Sequence, residues 1–247
     1  METPLMYSGQ PIPEMPLLIP TGSGYNSLIP GEIKNDEFYN LIYHLARSEP
    51  VATVLEIGSS SGEGSTEAFV RGLRENPARP TLFCMEISSP RFHALKQRYA
   101  LDKFVKPYNA SSVPADKFPS EQTVAQFHRE AGSYLSRYPL EQVLSWLRQD
   151  MEYLKFAVKA GIPTDGIRRI KAENKIDHFG MVLIDGSEFS GNAELDEVIG
   201  ANLILLDDFM SFKNYHPYRR LSADPAYVLI ACNPNLRNGY AAFRKRS

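Results

Sequence analysis

Short apolar runs alternate along the chain with segments whose apolar residues recur at helical spacing. The runs predict buried strands at 52–57, 81–86, 103–107, 181–184 and 202–206. Helices are predicted between the first three runs, at 65–74 and 89–99, and a further helix, capped by Asn35 or Asp36, precedes the first strand. Strands and helices that alternate in this way predict an α/β fold, with a parallel sheet covered by helices on both faces.

The two ends of the chain depart from this alternation. Near the C-terminus, apolar runs at 226–231 and 240–243 flank a segment rich in turn-forming residues, which predicts an antiparallel hairpin closing the sheet. Residues 1–33 are rich in proline, which excludes helix and central strand and predicts an extended N-terminal arm. Apolar residues within the arm indicate that it packs on the active-site mouth or on a partner subunit. One domain is predicted for residues 34–247.

A long, mostly helical insertion is predicted at about 111–176, between the third and fourth strands. Its apolar residues recur at helical spacing at Val143, Leu144, Leu147, Met151 and Leu154. One interpretation is a pair of helices that covers the core or forms a dimer interface. The other is a substrate lid, because the insertion begins near the expected ligand edge of the sheet.

Composition narrows the class of protein. A chain of 247 residues with 43% hydrophobic content can bury one sizeable core. A net charge of −2 provides no basic surface, so nucleic acid is not an expected partner. No apolar run approaches the roughly 20 residues that cross a bilayer, which predicts a soluble, cytoplasmic protein without a membrane partner. Cys84 and Cys232 lie in apolar runs and are predicted to be buried thiols.

A glycine-rich turn follows the first predicted strand and contains Gly58, Gly62 and Gly64. Glycine lets the chain turn sharply and lie close to a ligand. The spacing matches neither the dinucleotide fingerprint nor the phosphate-binding loop. Glu56, just before the turn, would repel a pyrophosphate but suits a cationic group, and Glu86 ends the next strand, where a ribose-binding acid is expected. The alternative is an ordinary strand–helix loop.

Residues 55–65 resemble the first motif of class I S-adenosylmethionine-dependent methyltransferases, and residues 83–86 resemble the second. In that family the glycine turn holds the methionine moiety of the cofactor and the second-strand acid holds its ribose. The resemblance implies a Rossmann-like seven-stranded sheet with a terminal antiparallel hairpin. It also implies a cofactor site made of Glu56, Gly58, Ser59, Gly62, Glu86, Ser111 and Asp185.

Three aspartates are predicted to converge at the same sheet edge. Asp185 follows one predicted strand, and Asp207 and Asp208 follow the next. Carboxylates placed together repel each other unless a cation lies among them, and hard oxygen ligands suit Mg²⁺. This arrangement resembles the Mg²⁺-dependent sugar and natural-product O-methyltransferases of the macrolide-sugar, aminocoumarin-sugar and cephamycin types, in which the corresponding aspartates hold the ion. The alternative is that the aspartates cap helices or bind loops, without a metal.

The general base cannot be transferred from those enzymes. Several of them have histidine where this chain has Glu188, so Glu188 and His216 are the candidate bases, with Asp185 beside them. His216 lies in an aromatic and polar segment at 209–220 that suits a sugar-like or phenolic acceptor. The alternative is that this segment is ordinary surface.

These features predict an S-adenosylmethionine-dependent O-methyltransferase that acts on a hydroxylated small molecule, sugar-like or another natural product, with Mg²⁺ assistance. A second hypothesis is a non-catalytic methyltransferase-like module that binds cofactor or a partner. A nicotinamide-dependent oxidoreductase is a lower alternative, because the glycine spacing and Glu56 count against it. The arm and the insertion are also candidate contacts of a homo-oligomer.

Overall fold

The computed structural model describes residues 27 to 246. Residues 1–26, which form most of the predicted N-terminal arm, lie outside the described residues. The helices are α1 (Glu37–Ser48), α2 (Ser65–Glu75), α3 (Ser89–Arg98), α4 (Glu121–Glu130), α5 (Leu140–Lys159), α6 (Gly166–Asn174), α7 (Gly191–Val198) and α8 (Phe212–Ala223). The strands are β1 (Thr53–Ile57), β2 (Thr81–Glu86), β3 (Val105–Asn109), β4 (Met181–Ile184), β5 (Leu203–Asp207), β6 (Tyr227–Asn233) and β7 (Tyr240–Lys245).

The strands form one seven-stranded sheet in the order β3-β2-β1-β4-β5-β7-β6. The first five strands pair in parallel, and β7 runs antiparallel to both β5 and β6. The predicted α/β class and the terminal hairpin are therefore confirmed. Neighbouring side chains alternate between the two faces, so that Val54 of β1 enters one apolar core and Leu55 enters the other.

Helix α1 shows how local chemistry fixes an element against the sheet. Asp36 caps it, accepting a hydrogen bond from the Tyr39 N–H at 2.8 Å. Its buried face, which includes Phe38 and Ile42, joins the core on one side of the sheet. Helix α2 lies close against α1, because a Cβ on Gly72 would stand only 2.5 Å from the Tyr43 carbonyl oxygen.

The predicted boundaries of β3 were wrong by two residues at each end. The N–H of Val105 donates to the Asp102 carbonyl at 2.8 Å, so residues 102–105 form a turn and the strand begins at Val105. Pro107 lies within β3, which is tolerated because β3 is the edge strand of the sheet.

The helical insertion packs over the end of the sheet. Residues from α4 and α5 form a third apolar cluster with Phe189, which follows β4, and Phe212, which begins α8. Asp150, Tyr153 and Leu154 of α5 also line the cavity at that end. The insertion thus covers the sheet edge and supplies part of the cavity wall, whereas a dimer interface or a moving lid stays a prediction.

Among residues 27 to 246, no helix combines the length and apolarity that a membrane span requires.

Candidate active site

A cavity of about 280 Å³ lies at the C-terminal ends of β1, β2 and β4. The glycine turn and the ends of β2 and β3 form one side of it. Residues of α5, the segment after β4 and the first turn of α8 form the other side. Residues 29–33, the described end of the predicted arm, close the mouth. Packing of the whole arm on the active-site mouth or on a partner subunit stays a prediction.

Gly58 brings two strand ends together at the base of the cavity. Its φ is +88°, and a Cβ there would overlap the backbone carbonyl oxygen of Asp185. The N–H groups of Gly58 and Ser59 both donate to the Met85 carbonyl at 3.0 Å, which ties the turn to β2. Ser59 and Ser60 line the cavity beside it, and the buried Ser60 hydroxyl has no hydrogen-bond partner among the described residues. A polar ligand would satisfy that hydroxyl.

Glu56 and Gly62 shape the turn from behind and are not among the described residues that line the cavity. Glu56 accepts a hydrogen bond from the Thr66 hydroxyl at 2.7 Å, which joins the end of β1 to the start of α2. Burial raises the pKa of Glu56. A Cβ on Gly62 would stand 2.7 Å from the Tyr99 ring, so glycine is needed there for packing against α3. Both residues therefore support the turn in this structure, and their contact with a cofactor stays a prediction.

Glu86 and Ser111 line the cavity, as the resemblance implies. Glu86 ends β2, and its Oε1 accepts a hydrogen bond from the Ser88 N–H at 2.7 Å. Burial raises the pKa of Glu86. Two hydrogen bonds hold Ser111 in place. Its N–H donates to the Pro163 carbonyl at 2.9 Å, and its hydroxyl donates to the Val113 carbonyl at 2.9 Å. These residues could hold the ribose and the adenine side of the cofactor.

The three predicted aspartates do come together. One carboxylate oxygen from each of Asp185, Asp207 and Asp208 lies within 4.8 Å of the other two. Asp185 lines the cavity, whereas Asp207 and Asp208 lie deeper. Parallel β4 and β5 end side by side, which accounts for the convergence.

A lysine that the sequence did not single out lies inside this cluster of three aspartates. Lys213 Nζ is 2.8 Å from Asp185 Oδ1 and 2.7 Å from Asp208 Oδ2, and the side chain is only 9% exposed. Burial alone would lower the pKa of Lys213, but the aspartates around it outweigh burial and hold that pKa well above its usual value. The third aspartate, Asp207, has its own cation, because Arg237 donates to its Oδ1 at 3.0 Å.

The arrangement does not fit the expected Mg²⁺. The buried Asp207 Oδ2 has no hydrogen-bond partner among the described residues, which would suit an ion. However, one carboxylate oxygen of Asp185 and one of Asp208 are already bonded to the Lys213 ammonium. A divalent ion within contact distance of an ammonium is strongly repelled. Lys213, which is distant in sequence from Asp185, therefore counts against the Mg²⁺ expectation, and that expectation stays a prediction.

Neither predicted base contacts the cavity. Glu188 accepts hydrogen bonds from the Ser211 hydroxyl at 2.7 Å and the Lys213 N–H at 3.3 Å, so it holds the first turn of α8. Burial raises the pKa of Glu188 to about 7. His216 packs among aromatic rings, 5.7 Å from Phe127 between centroids, and burial lowers its pKa. Neither residue is among the described residues that line the cavity.

The aromatic segment that was expected to recognise the acceptor is largely structural. Phe209 stacks on Tyr218 with ring centroids 4.3 Å apart, and Phe212 joins the apolar cluster beneath the insertion. Of residues 209–220, Lys213 alone is among the described residues that line the cavity.

Sequence reasoning also missed the carboxylate of Asp150. This residue lies on α5, lines the cavity, and accepts a hydrogen bond from the Ser187 hydroxyl. Burial raises the pKa of Asp150 to about 6. Asp150 lies 35 positions before Asp185 by residue number, and the only available sign was an acidic residue beside apolar positions of a predicted helix.

The fold of this chain is similar to the folds of several solved methyltransferase structures. An O-methyltransferase from Bacillus cereus in complex with S-adenosylhomocysteine superposes with a TM-score of 0.55 at 13% identity, covering 93% of this chain and 94% of that one. The fold is that of the class I S-adenosylmethionine-dependent methyltransferases. Two further structures share the methyltransferase fold. A candidate O-methyltransferase from Klebsiella pneumoniae has a TM-score of 0.53 at 11% identity, covering 88% and 84% of the two chains.

The third structure is a candidate caffeoyl-CoA O-methyltransferase from Staphylococcus aureus. It has a TM-score of 0.51 at 16% identity, covering 87% of this chain and 85% of that one. No protein-family model and no curated protein matches the sequence. The methyltransferase fold is thus shared while side chains differ at most positions, so that the site must be argued from its own residues.

Proposed function

We propose that the protein is an S-adenosylmethionine-dependent O-methyltransferase acting on a hydroxylated small molecule. The observation that carries the proposal is the cavity itself. It is lined by the glycine turn and Glu86 and also by Asp150, Asp185 and Lys213. A cofactor site and a cluster of groups suited to proton transfer therefore share one space, at the edge of the sheet where ligands of such folds bind.

Residues present in the cavity fit the cofactor. The Ser60 hydroxyl is buried and has no partner among residues 27 to 246, Glu86 at the end of β2 lines the cavity, and so does Ser111 after β3. When bound, the cofactor supplies a sulfonium methyl group. In the transfer, the acceptor oxygen forms the new bond to the methyl carbon, and the electron pair of the broken carbon–sulfur bond stays on sulfur.

We propose that Asp150 is the general base that accepts the proton of the acceptor hydroxyl. The Ser187 hydroxyl donates a hydrogen bond to Asp150, whereas the Asp185 carboxylate is already bonded to the Lys213 ammonium, which competes with a proton for it. Burial raises the pKa of both carboxyls, to about 6 for Asp150 and to about 7 for Asp185. A pKa of about 6 leaves Asp150 ionised at neutral pH and able to accept a proton. Positioning of acceptor and cofactor supplies most of the rate enhancement.

The acceptor is proposed to be small, with an apolar or aromatic body beside its hydroxyl. Phe118, Tyr153 and Leu154 are among the residues that line the cavity, and Tyr153 and Leu154 lie on the same helix as Asp150. A volume of about 280 Å³ suits a small molecule. Metal assistance is left out of this proposal because Lys213 occupies the contacts that an ion needs.

Replacing Glu86 by glutamine tests the cofactor site. We expect calorimetric titration with S-adenosylmethionine to show binding to the unaltered protein, and an affinity lower by about 10- to 100-fold in Glu86→Gln, because a charged hydrogen bond to the ribose is lost. Glu67→Gln is the matched control, since Glu67 lies on α2 and is not among the described residues of the cavity wall. If the unaltered protein binds neither S-adenosylmethionine nor S-adenosylhomocysteine, the proposed function is wrong.

A further inference from the structure

Lys213 is locked in place by the residues on either side of it. Glu188 accepts the backbone N–H of Lys213 and the hydroxyl of Ser211, so the first turn of α8 is fixed. Asn214 donates to the Ile184 carbonyl at 2.9 Å and the Asp207 carbonyl at 2.6 Å, which are the last residues of β4 and β5. The helix start is thereby bound to both strand ends that carry the aspartates.

The neighbouring helix leaves no room for this turn to shift. Gly191 begins α7, and a Cβ there would overlap the Lys213 carbonyl oxygen. Lys213 therefore belongs to a packed junction between α7, α8 and the sheet, in contrast to a flexible surface lysine.

Each of the three aspartates already has a cationic partner. The buried Lys213 bonds to the half-buried Asp185 and to the buried Asp208, while Arg237 bonds to Asp207. Arg237 is itself anchored by an ion pair with Asp36 ahead of α1. Nitrogen-to-oxygen distances of 2.7 and 2.8 Å leave no space between Lys213 and the two carboxylates for another cation.

We propose that the Lys213 ammonium permanently replaces the divalent cation at this site, so that methyl transfer requires no metal. The catalytic half of this inference rests on the proposed function, whereas exclusion of the metal does not. Two of the three N–H donors of Nζ bind the aspartates, and the third has no acceptor among residues 27 to 246. Because Lys213 lines the cavity, that N–H donor can bind the oxygen of the acceptor hydroxyl. It would stabilise the negative charge that develops on this oxygen as the hydroxyl proton passes to Asp150.

The decisive test measures Mn²⁺ binding by electron paramagnetic resonance, which needs no activity. The unaltered protein is expected to leave Mn²⁺ free. In Lys213→Met the ammonium is gone and the three carboxylates remain, so Mn²⁺ affinity should rise by about 10- to 100-fold. Adding Asp207→Asn to Lys213→Met should remove the gained binding and so locate the ion. The matched control is Lys171→Met, because Lys171 bonds to the Glu197 carbonyl at 2.7 Å, away from the cluster.

Activity supplies the second readout. With S-adenosylmethionine and a phenolic acceptor, methyl transfer by the unaltered protein should be unchanged by EDTA and by added Mg²⁺. Lys213→Met should lose most of the rate. Mn²⁺ binding by the unaltered protein that disappears in Asp208→Asn would overturn the inference, and so would EDTA inhibition reversed by Mg²⁺.

The two proposals fail in distinguishable ways. Absence of cofactor binding removes the proposed function, yet the Mn²⁺ measurement still decides which cation the aspartates hold. If melting shows that Lys213→Met does not fold, the titration of the unaltered protein decides by itself, because tight Mn²⁺ binding there contradicts the assignment and its absence supports it.

Discussion

Asp150→Asn is expected to slow methyl transfer by about 100- to 10,000-fold, because the substitution removes the proposed general base. Cofactor affinity is expected to stay within about twofold. Asparagine keeps the shape of the side chain and still accepts the hydrogen bond from the Ser187 hydroxyl, so the cavity wall is preserved. Steady-state kinetics with S-adenosylmethionine and a phenolic acceptor measure the rate, and calorimetry measures the affinity.

The pH profile separates a base from a wall residue. Burial raises the pKa of Asp150 to about 6, so the carboxylate is protonated and inactive below that pH and ionised above it. Activity of the unaltered protein should therefore rise with pH through about 6, and Asp150→Asn should lose this limb. Glu152→Gln is the matched control on the same helix, since Glu152 is exposed. A variant at Asp150 with a normal rate and a normal acidic limb would contradict the assignment.

Gly58→Ala is expected to lower the free energy of unfolding by about 2–4 kcal/mol and to abolish cofactor binding. A Cβ at this position would overlap the Asp185 carbonyl oxygen, and the φ of +88° is strained for alanine. To relieve the overlap, β1 and β4 must separate at their C-terminal ends, which moves both sides of the cavity. Urea denaturation and calorimetry with S-adenosylmethionine measure the two effects.

Gly161→Ala provides the comparison for Gly58→Ala. Gly161 has a φ of +74°, and nothing lies within 4 Å of the position that its Cβ would take. Because this space is open among residues 27 to 246, substitution of Gly161 should cost only the backbone strain, about 1 kcal/mol, and leave cofactor affinity unchanged. Equal effects of the two substitutions would show that strain alone, and not the approach of β1 to β4, sets the need for glycine at position 58.

The apolar pattern predicted most of the fold because strand and helix periods are local properties. Strands β2 and β4 were placed correctly at both ends, and the antiparallel hairpin followed from turn-forming residues between two apolar runs. The turn at 102–105 was missed, since the hydrogen bond that closes it leaves no periodic trace. This two-residue error in the bounds of β3 left the predicted succession of strands and helices along the chain unchanged.

The sequence by itself determined the α/β sheet, the glycine turn, and the convergence of Asp185, Asp207 and Asp208, because the ends of neighbouring parallel strands must meet. The tertiary structure alone decided which groups surround those aspartates. Lys213 enters the cluster from a helix start, and Asp150 reaches the cavity from the insertion, 35 positions before Asp185 by residue number. Such encounters depend on how helices dock on the sheet, which no local period encodes, and they changed both the proposed base and the proposed cation.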